Sequence, residues 1–340
     1  MNKATTAIVK QLLAASKEIV IVGHKNPDGD AVGSCLALAN VLKAMGHRPQ
    51  VIMPNDFPNF LKWLPECKNI HIYDKSVESS DVKIASAEII FTLDFNALNR
   101  TGDMEESLKK ASADFVLIDH HQQPDDFAVA MYSDTSMSST CEMVYHFLKS
   151  IDADHLITSE VATQLYTGVM TDTGSFRFPA TTATTHRVIA KLIECGAKNS
   201  EIHQNIYDTN TSDRLALLGV ALQNMKILPE YKTAYITLSQ AELDDHNFRK
   251  GDTEGFVNYA LSVAGVIFAI IFIENKQENI IKISLRSKGN FSVNEFARKY
   301  FNGGGHTNAA GGRSADSLEE TVSYFISILP SHKNELAHES

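Results

Sequence analysis

The feature that most restricts the fold is an alternation, through the first half of the chain, of short apolar runs with helical patterns. Glu18 to Gly23 (EIVIVG), Arg48 to Met53, Glu88 to Leu93 (EIIFTL) and Asp114 to Ile118 (DFVLI) are strand candidates. Ala31 to Met45, with Gly46 as its C-cap, and Met104 to Ala111 read as helices. This is the βαβ signature of a parallel sheet covered by helices. Three more helical patterns follow, Ser138–Ser150, Ser159–Met170 and Thr184–Cys195, the last closed by Gly196. In the second, Val161, Leu165 and Val169 share a face with Ala162, Tyr166 and Met170 at a spacing of four.

Ser200–Asn224 reads as further helix, and after Pro229 the pattern changes. Lys232–Leu238, Gly265–Ile273 and Ile280–Leu285 are strand candidates there, and Ser292–Tyr300 and Ser317–Leu329 are helical. A chain of 340 residues is comfortable for two domains. The expected organisation is α/β throughout: a parallel-sheet domain with flanking helices over 1–200, a helical connector over 201–229, and a smaller α/β domain over 230–340. No internal repeat is visible, and the polar end, Lys333–Ser340, is where order is expected to fail.

Composition narrows the partners. The formal net charge is −10, which argues against a grip on long duplex nucleic acid but not against short nucleotides. Cys35, Cys67, Cys141 and Cys195 are far apart and form no CxxC pair, so buried free thiols in a reducing cytosol are expected. Met1–Lys17 reads as an amphipathic helix rather than a signal peptide. The most apolar run, Leu261–Ile273, is too short for a bilayer, which needs about 20 residues, and its β-branched content predicts a buried strand. A cytoplasmic protein without a membrane contact is expected, and a homodimer is compatible with the sequence.

The chemistry-bearing residues cluster where the strands end. His24, Asp28 and Asp30 lie in GHKNPDGD, between the first strand and the next helix. In open parallel sheets ligands bind outside the carboxyl ends of strands. Helix capping would account for one of these carboxylates, not both. Asp94 ends EIIFTL, and Asp119-His120-His121 ends DFVLI. Adjacent residues on an extended chain point in opposite directions, so His120 and His121 are expected to have different tasks, one on metal and one on substrate. Asp172 closes a helix at its C-terminus, where the dipole disfavours a carboxylate and a bound cation would reverse the field. Carboxylate and imidazole ligands without thiolate suit manganese, magnesium, iron or zinc. A shared carboxylate can hold two such ions about 3.5–4 Å apart, which polarises phosphoryl oxygens and supplies hydroxide near neutral pH. In the second half, Gly303-Gly304-Gly305-His306 suggests a backbone nest for an anion, with a helix to follow, and Arg286 could clamp a phosphate.

Taken together, GHKNPDGDAVGS, Asp94-Phe95-Asn96, Asp119-His120-His121, TDTGSFRF and NGGGHTNAAGG resemble the motifs of the DHH phosphoesterase family, in the subfamily that carries a DHHA1 domain. Within it the chain looks like the NrnA type, whose members are described as oligoribonucleases that also dephosphorylate 3′-phosphoadenosine 5′-phosphate. The resemblance implies that His24, Asp28 and Asp94 hold one metal ion and Asp30, Asp94, His120 and Asp172 a second, with Asp94 bridging. It implies manganese first, with magnesium as the alternative. Asp94, Asp119, His120 and His121 are then the catalytic group. His121, Arg286, Gly303, Gly304, Gly305 and His306 match substrate contacts, with Arg100 a further candidate. The expected substrates are short oligonucleotides or nucleotide phosphates. An inorganic pyrophosphatase or exopolyphosphatase is the first competing reading, but the second half lacks the SRKKQ-like basic motif of that pyrophosphatase group. A soluble cyclic-dinucleotide phosphodiesterase is another. Long single-strand exonucleases of the family need extra domains for which the chain has no room. A non-enzymatic nucleotide sensor is disfavoured by the complete set of candidate ligands.

Overall fold

The computed structural model describes residues 1–338. The chain forms two compact units, Met1–Thr209 and a second from Asn210 onward. The first contains α1 (Lys3–Leu12), β1 (Glu18–Val22), α2 (Gly29–Ala44), β2 (Arg48–Met53), β3 (His71–Ile72), α3 (Val77–Ser86) and β4 (Ile89–Leu93). It continues with α4 (Glu105–Lys109), β5 (Asp114–Asp119), β6 (Ala130–Ser133), α5 (Thr140–Ser150), α6 (Ser159–Asp172), α7 (Ala183–Glu194) and α8 (Asn199–Tyr207). Its sheet has the order β3-β2-β1-β4-β5-β6, and every neighbouring pair is parallel.

The apolar runs are continuous because the sheet is covered on both faces. Ile19 and Ile21 of β1, Phe91 of β4 and Ile118 of β5 join a large core with α2, α5 and α6. The alternate residues Val20, Val22, Ile90 and Phe115 face a smaller core with Ile84 of α3 and Leu108 of α4. The short strands β3 and β6 were not foreseen, since two and four residues carry too little periodicity to read.

Helices α2 and α6 cross closely at two glycines. A Cβ on Gly33 would stand 2.5 Å from the Gln164 carbonyl oxygen. A Cβ on Gly168 would fall on Cys141 Sγ and within 2.8 Å of Asp30 Oδ1. The crossing presses the start of α2 against the later half of α6, and so brings Asp30 towards Asp172.

The second unit contains α9 (Ser212–Gln223), β7 (Lys226–Leu228), β8 (Thr233–Leu238), α10 (Gln240–Asp245), α11 (Phe256–Leu261) and β9 (Phe268–Asn275). It ends with β10 (Ile280–Ser287), α12 (Val293–Tyr300), β11 (Gly304–His306), β12 (Ala309–Ser314) and α13 (Leu318–His338). The mixed sheet runs β11-β12-β10-β9-β8-β7, with only β8 and β9 parallel. One face packs Phe268, Phe272 and Leu285 on Phe296 and Phe325, and the other packs Ile236 and Ile271 on Leu217 and Phe256.

Three expectations change. The stretch expected as a connector is divided, with α8 in the first unit and α9 and β7 in the second. The apolar run at Leu261 does not begin a strand: Gly265 turns the backbone at φ +78°, and β9 starts at Phe268. Of the polar end, Lys333–His338 continues α13, and residues 339 and 340 lie outside the described residues. The four cysteines are free, and three are buried.

Because the Gly33 hydrogen faces backbone, which cannot swing aside, Gly33→Ala should destabilise the first unit by about 1–3 kcal/mol. Gly219→Ala on α9, where a Cβ meets nothing within 4 Å, should instead gain up to about 1 kcal/mol. Denaturant unfolding of the two variants should move in opposite directions.

Candidate metal centre

The strand order of the first sheet reverses between β1 and β4, and such switch points open a crevice at the carboxyl ends of the strands. The neighbouring strands β1, β4 and β5 end there, and each delivers charged residues.

After β1, Asp28 caps α2: its Oδ1 accepts from the backbone N–H of Asp30 at 3.0 Å and of Ala31 at 3.1 Å. Asp30 does something different. It is 1% exposed, and its two oxygens accept from Thr140 N at 2.6 Å and Cys141 N at 2.8 Å, at the start of α5. Asp94 leaves β4 in a left-handed conformation (φ +66°) that Asp tolerates better than most residues.

Asp94 faces two ways. Its Oδ2 lies 3.4 Å from His24 Nε2, and that nitrogen lies 3.9 Å from Asp28 Oδ1. Its Oδ1 lies 3.5 Å from His120 Nε2, which is also 3.8 Å from Asp30 Oδ2 and 3.6 Å from Asp172 Oδ2. Two groups, His24-Asp28-Asp94 and Asp30-His120-Asp172, thus meet at one carboxylate. Both imidazoles are oriented from behind, His24 Nδ1 on the Lys25 carbonyl at 2.9 Å and His120 Nδ1 on that of Met137 at 3.3 Å. Each Nε2 is left to face the carboxylates, the arrangement of a metal ligand with a fixed tautomer.

The electrostatics ask for positive charge. Burial would lower the His24 imidazole, but Asp94 and Asp28 outweigh it and hold its pKa up to about 9. His120 is also raised, burial being overcome by Asp94, Asp172 and Asp30. Burial and the neighbouring charges of Asp94 and Asp172 push Asp30 well above the usual carboxylate range. Burial lifts Asp172 to about 6, against the pull of His120. Asp94 alone goes down: burial opposes its charge, but hydrogen bonds from His120 and His24 prevail. Retained protons on acids and bases alike mark a site built for more positive charge than its own side chains carry. Oxygen and nitrogen donors without thiolate fit a hard or borderline divalent cation, so the donor set fits the expected ions.

His120 and His121 do not diverge as an extended strand would make them. Strand β5 ends at Asp119, the alternation lapses, and the two rings lie 5.0 Å apart at one place. His121 Nδ1 donates to Asp119 Oδ1 at 2.7 Å and lies 3.8 Å from Asp94 Oδ1. Asp119 is fully buried, and its Oδ2 has no hydrogen-bond partner among the described residues. It therefore stands behind His121 and orients it. Arg100 has an exposed side chain, and its carbonyl accepts from Lys25 N at 2.8 Å, which ties it to the loop of His24.

Thr140 was missed. Its Oγ1 donates to Asp94 Oδ1 at 2.9 Å. In sequence it is one of several small polar residues at a helix start, where Ser139 already supplies the cap, and nothing there signals a contact with the centre.

In the second unit, the glycine run is half of a hairpin, not a nest before a helix. Gly304–His306 pairs with Ala309–Gly311. A Cβ on Gly303 would collide with the Gly311 carbonyl oxygen and lie 2.8 Å from Gly312 Cα. The Gly303 and Gly305 N–H groups donate to Ala297 O at 3.1 Å and Asn294 Oδ1 at 3.0 Å. Gly303 and Gly305 are thus accounted for by close strand packing. Arg286 and His306 both register with Ala309, so the three form one cross-strand row. Two strand spacings separate the outer two, roughly 10 Å.

Comparison with known proteins settles what this arrangement belongs to. Residues 18–169 match the DHH family, N-terminal domain, and residues 230–330 match the DHHA1 domain. The chain belongs to the DHH family. It is a phosphoesterase, with the two family domains in their expected order. The "Bifunctional oligoribonuclease and PAP phosphatase NrnA" of Thermus thermophilus is 31% identical over 305 residues, covering 89% of this chain and 86% of that protein. The protein of the same name from Bacillus subtilis is 28% identical over 294 residues, covering 86% and 88%. Among solved structures, an exopolyphosphatase-related protein from Bacteroides fragilis is 38% identical, with a TM-score of 0.95 and coverage of 99% and 98%. RecJ of Thermus thermophilus in complex with Mn2+ shares the fold at 12% identity and a TM-score of 0.54, with 99% of this chain and 55% of that chain covered.

An ion entering this DHH centre must displace protons. With His24 raised to about 9 and Asp172 to about 6, apparent Mn2+ affinity should climb as pH rises from 6 towards 9 and level off above, with protons released on binding. Calorimetry in buffers of different ionisation enthalpy checks both; an affinity independent of pH across that window would contradict the charge assignment.

Proposed function

We propose that the chain is a two-metal phosphoesterase that cuts short oligonucleotides to mononucleotides and removes a phosphate from 3′-phosphoadenosine 5′-phosphate. The observation that carries the reading is Asp94, whose two oxygens face separate sets of ligands. His24, Asp28 and Asp94 would hold one ion, and Asp30, Asp94, His120 and Asp172 the other. Mn2+ is the favoured ion and Mg2+ the alternative, in keeping with the RecJ structure that contains Mn2+. When bound, such a pair polarises the phosphoryl oxygens and activates water for in-line attack. His121, oriented by Asp119, presents Nε2 to the scissile phosphate, and Arg100, whose carbonyl holds the loop of His24, is a further candidate for a substrate contact.

Short nucleotide substrates are supported by two relatives that span most of the chain and are named for oligoribonuclease and PAP phosphatase activity. The net charge of −10 speaks against long duplexes. The row formed by Arg286 and His306 supplies donors for the non-scissile end of the substrate, with the DHHA1 unit, 230–340, as substrate-binding domain and 1–200 as catalytic domain. A cytoplasmic location accords with the reading, and no described helix is long and apolar enough to cross a membrane. A second reading, exopolyphosphatase activity, is favoured by the name of the 38% identical structure.

A panel of dinucleotides, 3′-phosphoadenosine 5′-phosphate, cyclic dinucleotides, pyrophosphate and polyphosphate, each with Mn2+, separates the readings. The nucleotides should be turned over fastest, and a preference for polyphosphate would move the assignment to the second reading. Asp94→Ala should abolish turnover and lower metal content; full activity in that variant would sink the two-metal reading. Arg286→Ala and His306→Ala should keep both ions and lose kcat/KM on nucleotides far more than on a small aryl phosphate. Equal losses on both substrates would put these residues at the reacting phosphate.

A further inference from the structure

Thr140 donates hydrogen bonds to two of the three carboxylates around His120. Its backbone N–H donates to Asp30 Oδ2 at 2.6 Å, and its hydroxyl donates to Asp94 Oδ1 at 2.9 Å. These two oxygens lie 3.8 and 3.5 Å from His120 Nε2. Thr140 is fully buried, so it meets no bulk solvent, and its place is behind the carboxylates.

We propose that Thr140 is a positioning residue that sets the spacing of Asp30 and Asp94 and thereby the affinity of the site completed by His120 and Asp172. The inference rests on the reading of the centre as a pair of cation sites. Two links of one residue fix one distance. The backbone link holds Asp30 wherever the start of α5 stands, and the hydroxyl link holds the Asp94 oxygen that faces His120. Without the hydroxyl, Asp94 keeps the opposite oxygen near His24 but loses the restraint that ties the one near His120 to the start of α5.

Asp94 is the last residue for which such a restraint is idle. It sits just past a strand end in a left-handed backbone conformation, and apart from Thr140 the groups facing its oxygens are the imidazoles of His24, His120 and His121. A threonine places its hydroxyl in one of few rotamers, and a hydroxyl has one proton to give. The donation to Asp94 therefore fixes which lone pair remains for an ion. The cysteine that follows cannot replace it: Cys141 N reaches Asp30 Oδ1 at 2.8 Å, but its sulfur turns to the Asp30 and Gln164 carbonyls.

The test is metal uptake by the full chain, read by Mn2+ titration with electron paramagnetic resonance and calorimetry, without turnover. Wild-type protein should take up two ions; uptake of none would overturn the reading of the centre itself, before Thr140 is at issue. Thr140→Val keeps the shape and removes the donor. It should weaken one of the two sites by about 10–100-fold and leave the other within a few-fold. Thr140→Ser keeps the hydroxyl and loses the methyl group, and should bind both ions nearly as wild type does. Thermal unfolding of the metal-free forms guards against a folding defect. Thr140→Val with both sites unchanged would overturn the proposal. So would Thr140→Ser losing as much as Thr140→Val, since the methyl packing and not the hydroxyl would then be at work.

Discussion

Four carboxylates and two imidazoles, Asp28, Asp30, Asp94, Asp172, His24 and His120, are gathered where three parallel strands end. Like charges brought this close in a buried place repel strongly, since the low local dielectric screens little. Backbone donors offset part of the repulsion: the start of α2 binds Asp28, and the start of α5 binds Asp30. The raised pKa values of His24, His120, Asp30 and Asp172 favour protons that offset a further part. What those devices leave over is a demand for cations, and the remainder of the first unit can be understood as the frame that keeps the demand in place.

That frame depends on a few close approaches. The α2–α6 crossing exists because Gly33 and Gly168 lack side chains, and it decides how near Asp30 and Asp172 come. The sheet decides the rest, because adjacent strands in parallel register carry their ends to the same level. Asp94 and Asp119 thus follow Leu93 and Ile118, which are register partners. The carbonyls behind His24 and His120 then choose the ring nitrogen that faces inward.

Much of this could be read from residues alone. The runs EIVIVG, EIIFTL and DFVLI are apolar because they are covered on both faces, and a charged residue after such a run has few places to go but the end of the sheet. His24, Asp94 and His120 were legible as candidate ligands for that reason, whereas Asp28 and Asp30 showed as one carboxylate more than a helix cap needs, and Asp172 as a charge at the wrong end of a helix. What escaped reading were relations between distant segments. Thr140 is an ordinary helix-start residue until Asp94 is beside it. The paired glycines of Gly303–His306 looked like an anion nest because a run of glycines has the same local signature whether backbone N–H groups face a ligand or a neighbouring strand. His120 and His121 were expected to diverge because strand alternation was extended two residues past the end of β5.

The ligands of the centre come from the start of the first unit, at His24 to Asp30, and from near its far side in sequence, at Asp172. No short peptide from this chain contains them all, so an ion has no complete site in the unfolded chain and meets one only after the sheet and α6 have come together. Ions that bind the folded form alone act as a reservoir of stability, adding about 2.7 kcal/mol when their free concentration is a hundred times the dissociation constant. A bound divalent metal would then stabilise the fold as well as complete the centre.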